Sequence, residues 1–104
     1  MGTERQLYGL KDLEKKYGRL TVGRFLRSWR LSEGFSQKVF AKKLRISAAN
    51  LCDIEKERKG VSVAKAHEIA KAIGYPPSVL VQMALQEEVA LSGLKYSVQV
   101  KSAA

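Results

Sequence analysis

The stretch RISAANLCDIEKER, Arg45–Arg58, decides how this chain folds. Ser47 is a residue type that caps helix N-termini. Leu51 and Ile54 follow it at helical spacing on one face, so a short helix is predicted from Ala48 onward. Its first turn, Ala48, Ala49 and Asn50, lies away from that apolar face. A helix with its smallest side chains exposed at its own N-terminus leaves room there for something to approach closely.

Upstream, Ser36 caps a second helix in which Val39, Phe40 and Leu44 are apolar and Ala41 lies between them. Only Arg45–Ser47 separates the two helices, and helices joined so tightly must cross steeply. Ala41 falls at the crossing, where a larger side chain would push them apart. Leu44, Ile46, Leu51 and Ile54 then close a small core, and the later helix presents Ala48, Ala49, Cys52, Asp53 and Lys56 outward.

The same punctuation extends in both directions. Thr21 starts a helix through Val22, Phe25, Leu26, Trp29 and Arg30, and Gly34 ends it. Ser62 starts one with Val63, Ala66, Ile69, Ala70 and Ile73 on one side and Gly74 as its stop. After Pro76-Pro77 another runs from about Ser78 to Leu91, with Gly93 as its end. The predicted organisation is an amphipathic arm over residues 1–19, a helical domain over 20–92 and a strand with tail over 93–104. In the arm, Leu7, Leu10, Leu13 and Tyr17 space as a short helix, weakened by Gly9 and ended by Gly18. In the tail, Leu94, Tyr96, Val98 and Val100 alternate with Lys95, Ser97 and Gln99, the period of a strand. A lone strand leaves its backbone groups unpaired. It is therefore expected to pair with the same strand of a second copy, or with another protein.

A chain of 104 residues holds one domain. Its net charge of +9 points to a polyanionic partner, and the charge is localised. Residues 21–60 carry ten Lys and Arg against four Asp and Glu, so +6 of the +9 sits around the opening stretch. No run approaches the roughly 18 apolar residues of a membrane span, and the N-terminus has no apolar segment like that of a secretory signal. Cys52 has no partner for an internal disulfide. These features predict a reduced, cytoplasmic protein. His67 has no Cys or His at metal spacing, and no Gly-rich phosphate loop or nucleophile motif occurs. No enzyme, cofactor or metal site is expected.

FSQKVFAKKLRISAANLCDIEKERKGVS, with VGRFLRSWRLSEG before it, resembles the phage-repressor and Cro, or XRE-like, helix-turn-helix family. The resemblance covers about residues 20–80. It rests on Ser36-Gln37, on Ala41, on the apolar set 44/46/51/54 and on Ile54-Glu55. It implies an all-α, five-helix lambda-repressor-like domain, here with a short N-terminal helix and a C-terminal strand that pairs between subunits. It also implies a buried ion pair between Glu55 and Arg30. Two positions depart from the pattern. Arg45 stands where the turn usually has glycine, which costs on the order of 1 kcal/mol in a left-handed turn and predicts a slightly rearranged turn. GVS replaces the proline common after the third helix.

By this resemblance the helix opening at Ala48 is the recognition helix, whose N-terminal residues meet base edges in the major groove. Ala48 and Ala49 then suit a thymine methyl, and Asn50 suits adenine or a phosphate. Asp53 suits cytosine N4, or a nearby base such as Lys56. Gln37, Ser47, Lys56 and Arg58, with Lys38 beside them, suit the phosphates. The expected partners are double-stranded DNA carrying an inverted-repeat operator and a second copy of the chain. The layout also resembles antitoxins that accompany RelE/HigB-type toxins, which implies an autoregulating repressor with a toxin partner. Glu87 and Glu88 are the acidic spot for it. The alternatives are a stand-alone XRE-like regulator and, further off, a protein binding RNA or the nucleoid without sequence preference.

Overall fold

The computed structural model describes residues 20–103; the arm expected over 1–19 lies outside the described residues. Five helices follow in order: α1 Val22–Glu33, α2 Gln37–Leu44, α3 Ala48–Glu55, α4 Val63–Ile73 and α5 Pro77–Leu91. Four of them begin as the sequence predicts. The hydroxyls of Thr21, Ser36, Ser47 and Ser62 accept from the backbone N–H three residues on, at 3.0–3.2 Å. Helix α5 begins instead at Pro77, whose missing N–H would be unsatisfied there anyway.

All five helices close in one way. A residue with positive φ follows the last turn, and the next N–H reaches back five residues to a helix carbonyl. The bonds are Phe35 to Arg30, Ile46 to Ala41, Arg58 to Asp53, Tyr75 to Ala70 and Leu94 to Val89, at 2.9–3.3 Å. Gly34, Gly74 and Gly93 supply three of the left-handed residues. The other two are Arg45 (φ 58°) and Glu57 (φ 60°), which lie on either side of α3. The turn before α3 therefore keeps its left-handed geometry with arginine in place of glycine and is not rearranged.

Leu26, Phe40, Leu51, Ile69 and Leu80, one or more from each helix, are fully buried at the centre. Ala41 is buried between α2 and α3, and Ala66, Ala70 and Ala84 allow α4 and α5 to lie close. Phe25, Trp29 and Tyr75 form a half-buried aromatic group with ring centroids 4.7–5.9 Å apart. Val39 and Val63, apolar residues of α2 and α4, are exposed at the first turns of their helices.

The tail corrects one expectation. Residues 94–103 form neither helix nor strand, and no strand occurs among the described residues. The carboxamide of Gln86 takes the place of a ladder partner: its Nε2 donates to the Tyr96 carbonyl at 2.7 Å and its Oε1 accepts from the Val98 N–H at 2.8 Å. Gln82 Oε1 accepts from the Val100 N–H at 3.0 Å. Val98 and Val100 are half-buried, while Leu94 and Tyr96 are exposed. Period-2 alternation registers an extended backbone, but not whether a strand or a row of side-chain amides will satisfy it.

Candidate nucleic-acid interface

The position of α3 is set from behind. Gly23 in α1 lies so close to the end of α3 that a Cβ there would overlap the Ile54 carbonyl oxygen. Glu55, whose side chain is 2% exposed, is then met by Arg30, 12% exposed. Arg30 Nε donates to Glu55 Oε2 at 2.8 Å and its Nη2 to Oε1 at 2.9 Å, a bidentate pair. Arg30 Nη1 also donates to the Phe35 carbonyl at 3.1 Å, tying α3 to the turn after α1. The hydrogen bond to Glu55 raises the Arg30 pKa, against a smaller lowering by desolvation, and the carboxylate's charge adds to the rise. The guanidinium is thereby held in its charged form.

With its inner face so held, α3 turns its first residues outward. Ser47, Ala48 and Ala49 are exposed, as are Lys38 on α2 and Lys56 and Arg58 after α3. The remaining expected contact residues are partly engaged. Gln37 is half-buried and its Nε2 donates to Glu55 Oε1 at 3.2 Å, so this residue expected at a phosphate belongs first to the ion-pair network. Asp53 is half-buried and lies 3.6 Å from Arg58, not beside Lys56. Asn50 is half-buried, and its Oδ1 is buried without a hydrogen-bond partner. Cys52, expected on the open side, is also half-buried.

Two features of the site were not legible as site features. Gly23 sets the depth at which α3 sits; a glycine within an apolar helical pattern was the available sign. Glu57 turns the chain out of α3 and meets Arg24 at 3.2 Å. The loop around it, residues 56–60, is exposed throughout and carries Lys56, Arg58 and Lys59. The arrangement is an exposed helix N-terminus of small side chains, with exposed cations on α2 and in that loop. Such a surface fits a groove walled by phosphates: small residues admit the backbone to base edges, and lysines and arginines meet the walls.

Elsewhere the chemistry is sparse. A cleft of about 150 Å³ between Thr21, Ile54, Val61 and Leu91 is below the usual size of a ligand pocket. Among the described residues no His, Cys, Asp and Glu side chains gather as a metal site, and no helix is long and apolar enough to cross a membrane.

Residues 26–80 match the helix-turn-helix family. No curated protein and no solved structure matches the chain.

Proposed function

The chain belongs to the XRE-like helix-turn-helix family of DNA-binding transcription regulators, and from that premise we propose that it is a sequence-specific repressor that reads an inverted-repeat operator as a homodimer. The observation that carries this reading is the first turn of α3. Ala48 and Ala49 are exposed immediately after the Ser47 cap, and Lys38 on α2 and Lys56 and Arg58 after α3 are exposed as well. Ala48, Ala49 and Asn50 read bases, Asp53 accepts from cytosine or orients Arg58, and the flanking cations with Ser47 and Gln37 hold phosphates. Two recognition helices about 34 Å apart would enter successive major grooves.

A stand-alone regulator is favoured over an antitoxin by electrostatics. Toxins of the RelE/HigB type are basic, whereas this chain carries +9. Of the two acids that could meet such a toxin, Glu87 accepts from the Val22 N–H at 3.2 Å at the N-terminus of α1, which leaves Glu88 as the exposed one. The test is selection of bound fragments from the protein's own genome in excess competitor DNA. An enriched inverted repeat supports the repressor. Loss of all binding to competitor supports non-specific nucleic-acid binding instead. Co-purification with the product of the adjacent gene would restore the antitoxin reading.

A further inference from the structure

The tail has two backbone edges, and the fold uses one. In an extended chain the N–H and C=O groups of alternate residues point to opposite edges. Tyr96, Val98 and Val100 give theirs to Gln86 and Gln82. The match is metric as well as chemical. Four residues of helix rise about 6 Å, and two residues of extended chain span about 6.6 Å. Glutamines spaced i, i+4 on α5 therefore meet every second residue of a segment running back along the helix. By the same alternation Lys95, Ser97 and Gln99 direct their N–H and C=O groups away from α5. All three residues are exposed. Beside this edge Leu94 is 52% exposed and Tyr96 68%. An open edge flanked by exposed apolar side chains is a template for another extended chain.

We propose that the outer edge of residues 94–100 pairs with the same edge of a second copy of this chain, antiparallel and centred on Ser97. This deepens the homodimer of the proposed function by assigning its surface. Charge and parity select the register. Outward-facing residues must oppose outward-facing residues, so Lys95 can face the partner's Lys95, Ser97, Gln99 or Lys101. The first and last place like charges directly opposite, which destabilises a strand pair. Pairing Ser97 with the partner's Ser97 sets Lys95 against the partner's Gln99. It also sets Tyr96 against the partner's Val98 and Leu94 against the partner's Val100. These apolar pairs run the length of the overlap, and aromatic against β-branched is a favourable cross-strand combination. The neighbouring register, Lys95 against the partner's Ser97, overlaps over fewer residues and strands Val100 beyond the partner's Gly93. The Ser97-centred pairing is also self-complementary, as a two-fold interface must be.

The test uses the full chain without DNA, so the DNA reading and the tail surface can fail separately. Ser97→Pro removes an outward N–H and leaves those of Val98 and Val100 in place. Sedimentation should show a dimer dissociation constant raised at least tenfold, with unchanged helical circular dichroism. In a Cys52→Ala background, Ser97→Cys should cross-link to its own copy under mild oxidation, since opposed residues lie about 5.5 Å apart. Lys95→Cys should not, while Lys95→Cys combined with Gln99→Cys should. A dimer unaffected by Ser97→Pro overturns the surface while sparing the homodimer. A chain that is monomeric at 100 µM (on the order of the weakest useful association), as when the edge serves a different protein, overturns both.

Discussion

Arg30 and Glu55, 25 residues apart, face each other through two parallel hydrogen bonds of 2.8 and 2.9 Å that join α1 to the end of α3. The pair does more than connect two helices. Glu55 also accepts from Gln37 on α2, and Arg30 also donates to the Phe35 carbonyl in the α1–α2 turn. Four groups are thus satisfied around one buried carboxylate, and α1, α2 and α3 are locked to one another.

Arg30→Ala strands that carboxylate, and breaking a buried pair from one side costs about 3–5 kcal/mol. Denaturant unfolding should show a loss in this range. The matched loss at exposed Arg24, paired with Glu57 at 3.2 Å, should stay below about 1 kcal/mol. Equal losses at the two sites would contradict the buried network.

Gly23→Ala should be among the most damaging single-methyl changes in the chain. The added Cβ meets backbone at Ile54, not a movable side-chain tip. The helices must separate, at about 3 kcal/mol, the upper end for overpacking. Trp29 is the lone tryptophan and packs on Phe25 and Tyr75, so its fluorescence reports the shift in α1.

Changes at the first turn of α3 should separate binding from stability. Ala49 is exposed, so Ala49→Glu should leave the melting temperature near that of the parent while abolishing specific DNA binding through charge and bulk. Asn50→Ala removes a buried oxygen that has no partner, so the fold should lose little or gain slightly. With Oδ1 buried, the bidentate contact to adenine is closed to Asn50, so the binding loss should fall below the range of about 1–3 kcal/mol for such a pair. Lys56→Ala should weaken binding to all sequences alike and reduce the salt slope by about one. Full operator affinity in Ala49→Glu would remove α3 from the reading role.

Arg45 and Glu57 hold left-handed conformations at the two ends of α3. Each costs about 1 kcal/mol relative to glycine, offset by roughly 0.4–1 kcal/mol of added unfolded-state freedom when glycine is installed. Arg45→Gly and Glu57→Gly should each leave stability unchanged or raise it by less than about 1 kcal/mol. Arg45→Val places a β-branched residue there and should be clearly worse than Arg45→Gly in thermal melts.

Burial raises the Tyr75 pKa above its ordinary value. Its hydroxyl therefore keeps its proton longer in the folded chain than in the unfolded one. The contribution is fully present below the unfolded pKa, near 10, and is lost as pH rises through the folded value. Stability should decline above about pH 10, and Tyr75→Phe should flatten that decline in alkaline melts.

The helix boundaries were legible because their causes are local. A hydroxyl at Thr21, Ser36, Ser47 or Ser62 bonds an N–H three residues away, and Gly34 or Gly74 ends a helix through its own φ. The Arg30–Glu55 pair was legible through family resemblance, and the first turn of α3 through the size of its side chains. What only the tertiary structure decided involves partners distant along the chain, which no periodicity encodes. Glu87 accepts from Val22 across 65 residues, Gln37 turns from solvent to Glu55, and Gly23 fits against the Ile54 carbonyl. The tail shows the division most plainly. Alternation in Leu94–Val100 pointed to an extended backbone, because side chains then fall on two faces, but no strand forms there. That its inner edge is taken by Gln82 and Gln86 depended on the face α5 turns toward it, which is set by α5 packing on α4.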